Sequence, residues 1–159
     1  MGVTSKTTHR TRKKRPGERQ QEHVSHNAGV LSLAWLTKKH CLGKLTEAVR
    51  YLATGSGSLG VRVCRAYRDL LCHPLALQPG DSRVDIQGRL DHVGKKINEV
   101  GKKIAQQAGE GGIRYAKLYS YSRVAENGMP WQTARQLADQ IFELYLDLNR
   151  ELQEDRDVL

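Results

Sequence analysis

The feature that most constrains the fold is a strict seven-residue repeat of aliphatic side chains between residues 83 and 107. Its members follow one another at alternating spacings of four and three residues: Ile86, Leu90, Val93, Ile97, Val100 and Ile104. A mean spacing of 3.5 residues puts all six on one stripe of an α-helix, and such a stripe is buried against other helices. The repeat therefore predicts an all-α fold.

A repeated heptapeptide lies inside this helix, with the sequence VGKKINE followed directly by VGKKIAQ. The repeat stacks two pairs of lysines on the face opposite the stripe: Lys95 with Lys102, and Lys96 with Lys103. It also aligns Gly94 with Gly101 at the edge of the stripe. Glycine inside a helix costs about 1 kcal/mol relative to alanine, so two glycines in register predict a close approach by another backbone, of protein or of nucleic acid.

Apolar periodicity and helix-ending residues predict four more helices, near residues 27–40, 44–53, 58–72 and 130–154. Ser58 is a good N-cap for the third of these, and Pro130 stands at the first position of the last. The expected architecture is a compact bundle of four to five helices forming one domain over residues 24–159. A short strand at residues 49–53 is the local alternative.

Residues 1–23 contain almost no apolar side chain, and the stretch from Lys6 to Arg19 holds seven Lys or Arg against one acidic residue. Such a segment cannot bury enough surface to offset its ordering entropy, so we expect a disordered basic arm. Its candidate phosphate-binding residues are Arg10, Arg12, Lys13, Lys14 and Arg15. An inert solubilising or targeting tail is the alternative.

Charge is divided unevenly along the chain. Residues 126–159 hold three arginines against eight acidic residues, whereas the other 125 residues hold 23 basic and nine acidic ones. A basic body attracts polyanions, and nucleic-acid phosphates are the commonest polyanion in a cell.

Two further basic patterns favour the same class of ligand. Arginines recur every third residue on the flank of the third helix, at Arg62, Arg65 and Arg68. Tyrosines then alternate with cations in the segment after Gly112: Arg114, Tyr115, Lys117 and Tyr119. Rings stack on bases while cations hold phosphates, which is typical of proteins that bind single strands. Snorkelling arginines and half-buried core tyrosines are the corresponding alternatives.

The segment from Arg68 to His73, RDLLCH, resembles the R-[N/D/H]-x-x-x-H motif of HEPN-domain ribonucleases, which are small all-α proteins. The resemblance implies Arg68 on the scissile phosphate and His73 near the 2′-hydroxyl group. We prefer to interpret Arg68 as one member of the arginine series, with no catalytic residue in the chain. The ribonuclease is the alternative.

The sequence therefore predicts a non-catalytic RNA-binding subunit of a ribonucleoprotein complex, a role similar by analogy to that of the small helical subunits of CRISPR effectors. RNA is favoured over DNA because tyrosines suit splayed bases. We expect other protein subunits or self-association through the heptad helix, a cytoplasmic location, no membrane contact, no cofactor and no metal. The second alternative is a protein-interaction module. Three cysteines without metal-ligand spacing make a disulfide framework or a zinc cluster unexpected.

The predicted arm gives a first test. Deleting residues 1–23 should lower the affinity for nucleic acid, because it removes seven cations that release counterions on binding. It should leave the melting temperature nearly unchanged, since a disordered segment adds little to folding stability. A sharp fall in melting temperature at unchanged affinity would contradict the prediction.

Overall fold

The computed structural model describes the backbone of residues 18–72 and 80–158, and the side chains of residues 33–72 and 80–158. These residues form helices α1 (Glu18–Thr54), α2 (Leu59–Ala66), α3 (Ile86–Gln107), α4 (Gly109–Tyr119), α5 (Tyr121–Glu126) and α6 (Trp131–Val158), with a π-helical turn at Tyr67–Leu71 after α2. The all-α prediction is confirmed. None of the helices in the described ranges combines the length and apolar content needed to cross a membrane.

Helix α1 is longer than the sequence predicts. The helices expected at 27–40 and 44–53 are one helix, because the exposed Gly43 between them costs too little to end it. The alternative strand at 49–53 lies within the same helix. α1 also begins at Glu18, inside the predicted arm, so the deletion that removes the arm without shortening α1 ends at residue 17. The five arm cations lie outside the described residues.

The aliphatic stripe of α3 forms the centre of the core, within the compact unit Ala34–Leu159. Ile86, Leu90, Val93 and Ile97 are each at most 2% exposed. They pack with buried residues of α1, α2 and α6, among them Cys41, Leu45, Val63, Ile141 and Leu148. A second copy of the chain has no access to this part of the stripe. Self-association through the heptad helix is therefore not supported, because the chain's own helices cover the seam.

The apolar spacing in the last helix predicts a buried stripe that begins at Trp131, but the buried stripe of α6 begins later. Leu137, Ile141 and Leu144 are buried as expected, but Trp131 is 64% exposed. At about 100° per residue, Trp131 lies roughly 100° from the centre of the stripe, which explains its exposure. The stripe starts at Ala134 instead.

Helices α4 and α5 lie outside the helices that the sequence predicts. Gly109 has φ of 71°, a left-handed conformation that glycine adopts at little cost, and it makes the turn from α3 into α4. Gly112 lies so close to Ala105 and Ala108 that a Cβ there would overlap them. Packing against α3 therefore outweighs the low helix propensity of the glycines.

A buried carboxylate fastens the segment that leads into α3. Glu151 of α6 accepts hydrogen bonds from Lys38 Nζ at 3.0 Å, Ser82 Oγ at 2.7 Å, and the backbone N–H groups of Arg83 and Val84 at 3.1 and 3.2 Å. Burial alone would raise the pKa of Glu151. The hydrogen bonds from Ser82, Lys38 and Arg83 outweigh burial and hold the pKa below its ordinary value of 4.5.

A carboxylate whose pKa is lowered by folding stabilises the protein above its unfolded-state pKa, and loses that contribution as the pH falls through the folded value. Glu151→Gln should therefore cost about 2 kcal/mol of unfolding free energy at neutral pH, because the buried Lys38 loses one of its two carboxylate partners and keeps only Asp155. The variant should also lose less stability than the wild type below pH 4.5. Denaturant titrations between about pH 3 and 7 measure both effects.

Glu154→Gln is the matched control, because this side chain is 54% exposed and binds only the exposed Arg83. We expect it to leave the denaturant midpoint nearly unchanged, since solvent screens an exposed ion pair. Identical acid titrations of Glu151→Gln and the wild type would contradict the proposed role of the buried network.

Candidate nucleic-acid interface

Two tyrosines form an exposed pair on α4. Tyr115 and Tyr119 are 44% and 59% exposed, and their ring centroids lie 4.7 Å apart with the rings tilted by 39°. The inner face of the helix consists of small residues, Gly112 and Ala116, which lie against α3 and α5. The tyrosines therefore flank the contact and are not core residues, which was the alternative for them.

Helix α4 also carries two cations, Arg114 and Lys117. Arg114 and Lys117 are exposed. Around the helix, Arg114 lies opposite the buried Ala116, and Lys117 lies on the edge away from the tyrosines. Neither cation has a carboxylate within ion-pair distance among the residues the structure describes. α4 thus exposes two rings along one edge, and two available cations on its outer side and opposite edge.

All four predicted lysines of α3 are exposed: Lys95, Lys96, Lys102 and Lys103. Lys96 Nζ donates to Glu99 at 3.0 Å, whereas the other three have no ion pair within the described parts of the chain. The hydrogen bond from Lys96, with the charges of Lys95 and Lys103, lowers the pKa of Glu99. The lysine face therefore keeps a positive excess.

A groove of about 520 Å³ runs along one edge of α3. Its lining combines two tyrosines, two lysines and an amide with two carboxylates: Tyr67, Tyr121, Lys95, Lys102, Asn98, Asp91 and Glu99. Tyr67 belongs to the π-helical turn, and Tyr121 is the first residue of α5.

Gly94 lines this groove, and Gly101 lies seven residues further along the same edge of α3. A Cβ at Gly101 would overlap the backbone carbonyl of Tyr121, and a Cβ at Gly94 would overlap the hydroxyl group of Tyr67. The predicted close approach of a backbone is therefore confirmed at Gly101, where the backbone belongs to the same chain. At Gly94 a side chain makes the approach. Sequence reasoning missed Tyr67 and Tyr121 as groove residues, although the glycines beside each lysine pair marked the place.

The predicted arginine series is divided among different partners. Arg62 Nη1 donates to the backbone carbonyl oxygens of Leu52 and Ala53, the latter at 3.4 Å, and so satisfies the end of α1. The structure therefore places Arg62 at a helix end and away from the lysines of α3. Arg65 and Arg68 instead bind Glu126.

Glu126 is a buried carboxylate enclosed by three guanidinium groups. Its Oε1 accepts hydrogen bonds from Arg65 Nε at 3.2 Å and Arg68 Nη1 at 2.9 Å, while its Oε2 lies 4.0 Å from Arg123 Nη1. These residues come from α2, the π-helical turn and α5. Burial, with a contribution from Glu126, raises the pKa of the neighbouring Cys64 to about 12, so this thiol is not a nucleophile. The sequence analysis did not identify Glu126 as the partner of these arginines.

The ribonuclease resemblance gains no support from the described geometry. Arg68 donates to both Glu126 and Asp69, the latter at 3.0 Å, so its guanidinium is already held by two carboxylates. His73 lies outside the described residues. Within those residues, no group of three His, Cys, Asp or Glu side chains is arranged to hold a metal ion.

Comparison of the chain with protein-family models, with curated proteins and with solved structures found no match. The site is therefore interpreted from its own geometry.

The close approach of α5 to Gly101 gives a test. Gly101→Ala should lower the unfolding free energy by about 1–3 kcal/mol, because its methyl group would displace the backbone of α5. Gly43→Ala is the control, since this helical glycine has no atom within 4 Å of an added Cβ and should stabilise the protein by up to about 1 kcal/mol. Denaturant midpoints of the two variants measure the difference. Equal shifts would contradict the close approach at Gly101.

Proposed function

We propose that this protein binds single-stranded nucleic acid, RNA in preference to DNA, without catalysing a reaction on it. The observation that carries the proposal is the exposed Tyr115–Tyr119 pair, with Arg114 and Lys117 on the same helix. Exposed rings at the surface of a basic protein provide stacking platforms for unpaired bases, each stacked base contributing about 1–3 kcal/mol.

The lysine face of α3 supports the same proposal. Lys95, Lys102 and Lys103 are exposed and lack carboxylate partners in the described chain, so they can bind phosphates without first breaking an ion pair. Lys95 and Lys102 also line the groove beside Tyr67 and Tyr121. Phosphate binding by the lysines would be independent of sequence, while the tyrosines would hold splayed bases.

The basic arm extends this surface in the proposal. Its five cations, Arg10, Arg12, Lys13, Lys14 and Arg15, would add phosphate-binding groups that release further counterions. The buried thiols of Cys41 and Cys64 are not in disulfides, which is compatible with the reducing cytoplasm in which we place the protein.

A role within a larger ribonucleoprotein complex is supported by the exposed apolar side chains of α6. Trp131, Phe142 and Leu146 are 64%, 46% and 41% exposed, and at helical spacing they share one face. Phe142 also stacks with Tyr145, with ring centroids 6.2 Å apart. The same observation favours the second candidate function, a protein-interaction module, in which nucleic acid plays no part.

Two variants test the proposal by different readouts. The slope of log K against log salt is negative for a protein that binds phosphates. Replacing Lys95, Lys96, Lys102 and Lys103 with Gln should make it less steep, by about 0.7 for each phosphate of single-stranded RNA that the variant no longer binds. Replacing Tyr115 and Tyr119 with Ala should weaken binding about tenfold or more and leave the slope nearly unchanged, because stacking involves no counterion release. Fluorescence anisotropy at several salt concentrations measures both.

Arg135→Gln with Arg150→Gln on the acidic α6 is the control, which removes two exposed charges where the lysine variant removes four, since both arginines are 71% exposed. It should reduce binding less per charge removed than the lysine variant does. A panel of single-stranded and duplex RNA and DNA tests the preference. If all variants bind like the wild type, the lysine face and the tyrosine pair are not the binding surface. If the wild type binds none of the four at low salt, the interaction-module function replaces this one.

A further inference from the structure

The cluster around Glu126 has more hydrogen-bond donors than its own residues use. Each guanidinium carries five N–H donors. Glu126 takes one from Arg65 and one from Arg68, and Asp69 takes a second from Arg68. Arg65 also hydrogen-bonds the side chain of Tyr51. Arg123 Nη1 is 4.0 Å from Glu126, beyond hydrogen-bond range, and Arg123 donates to no other described residue. Most of the donors are therefore available to a ligand.

The charges of the cluster lead to the same conclusion. Three guanidiniums face two carboxylates, Glu126 and Asp69, so one positive charge remains. The two arginines that hold this excess at the surface, Arg65 and Arg123, have side chains that are 42% and 49% exposed. Glu126 itself is only 8% exposed. It acts as a buried anchor that holds Arg65 and Arg68 by hydrogen bonds and lies within ion-pair distance of Arg123.

We propose that Arg65 and Arg123 form a phosphate-binding site, in which Glu126 and Arg68 are positioning residues. The proposal rests on the nucleic-acid-binding function and assigns one backbone phosphate of the bound strand to these two arginines. A planar guanidinium binds phosphate through paired N–H donors, and two of them beside one buried carboxylate provide the directional recognition that lysines do not.

The location of the cluster favours a phosphate of the same strand. The π-helical turn carries both Tyr67 of the groove and Arg68, and α5 carries both Tyr121 of the groove and Arg123. The two segments that border the groove on α3 thus also supply the arginine cluster. A π-helical turn inserted after an α-helix is a feature that occurs frequently at functional sites, and here it holds Arg68 in the cluster.

The two arginines and the anchor respond differently to substitution. Arg123→Gln should weaken the binding of a fluorescein-labelled single-stranded RNA of about 20 nucleotides by about five- to tenfold and lower the salt slope by about 0.7, with an unchanged melting temperature. Arg65→Gln should do the same with a small loss of melting temperature, because it also loses its hydrogen bond to Glu126. Arg123→Lys should keep the salt slope and recover only part of the affinity, since it keeps the charge but not the planar donors.

Arg135→Gln is the control, an exposed arginine that lies on acidic α6. It should leave the affinity within about twofold of the wild-type value and the salt slope within about 0.2 of the wild-type slope. A melting-temperature loss in Arg123→Gln without any change in slope would show a purely structural cluster and overturn the proposal. Equal behaviour of Arg123→Gln and Arg135→Gln on RNA that the wild type binds would also overturn it.

A carboxylate-rich partner is the competing ligand for two arginines. If a labelled poly-glutamate peptide binds the wild type and loses affinity in Arg123→Gln, while RNA binding is unaffected, the site binds acidic protein segments and the phosphate assignment is wrong. If the wild type binds no RNA at low salt, the proposed function itself fails, an outcome distinct from RNA binding that Arg123→Gln leaves intact.

Discussion

Burial of the aliphatic stripe of α3 is the constraint on which the rest of the structure depends. The stripe requires helices on its apolar side, and α1, α2 and α6 supply the residues that cover it. Once that side is covered, the lysines on the opposite face necessarily meet solvent. Gly94 and Gly101, at the edge between the two faces, let the π-helical turn and α5 approach closely enough to border a groove. The core and the candidate interface thus result from one helix with three differently composed faces.

Two buried carboxylates then join segments that apolar packing leaves separate. Glu151 joins α1, α6 and the residues before α3, and Glu126 joins α2, the π-helical turn and α5. An ionised carboxylate is buried only when donors replace its water, and each of these has a charged partner together with further donors. The two differ in how many donors remain free. The donors around Glu151 are used within the fold, whereas the arginines around Glu126 retain donors and exposed surface.

The candidate interface depends on where the small and the large side chains of α4 lie. Its contact with α3 and α5 is made by glycine and alanine, so its large residues lie outside the contact. Two tyrosines are thereby left at the surface, where the proposed function gives them unpaired bases to stack on. The apolar face of α6 indicates a partner, but its surroundings are acidic. The protein therefore has one surface suited to a polyanion and another suited to a protein.

The sequence by itself determined the properties that depend on local spacing. The seven-residue repeat predicted the all-α fold, the buried stripe and the exposed lysines of α3, and Ser58 caps α2 as expected. Only the tertiary structure decided which cations are available. Arg65 and Arg68 look alike in the sequence, yet their partner Glu126 lies 61 and 58 residues away, and Arg62 is used at the end of α1. Such pairings, like the approach of Tyr67 and Tyr121 to α3, depend on how helices pack, because side-chain periodicity records the face of a helix but not its neighbour.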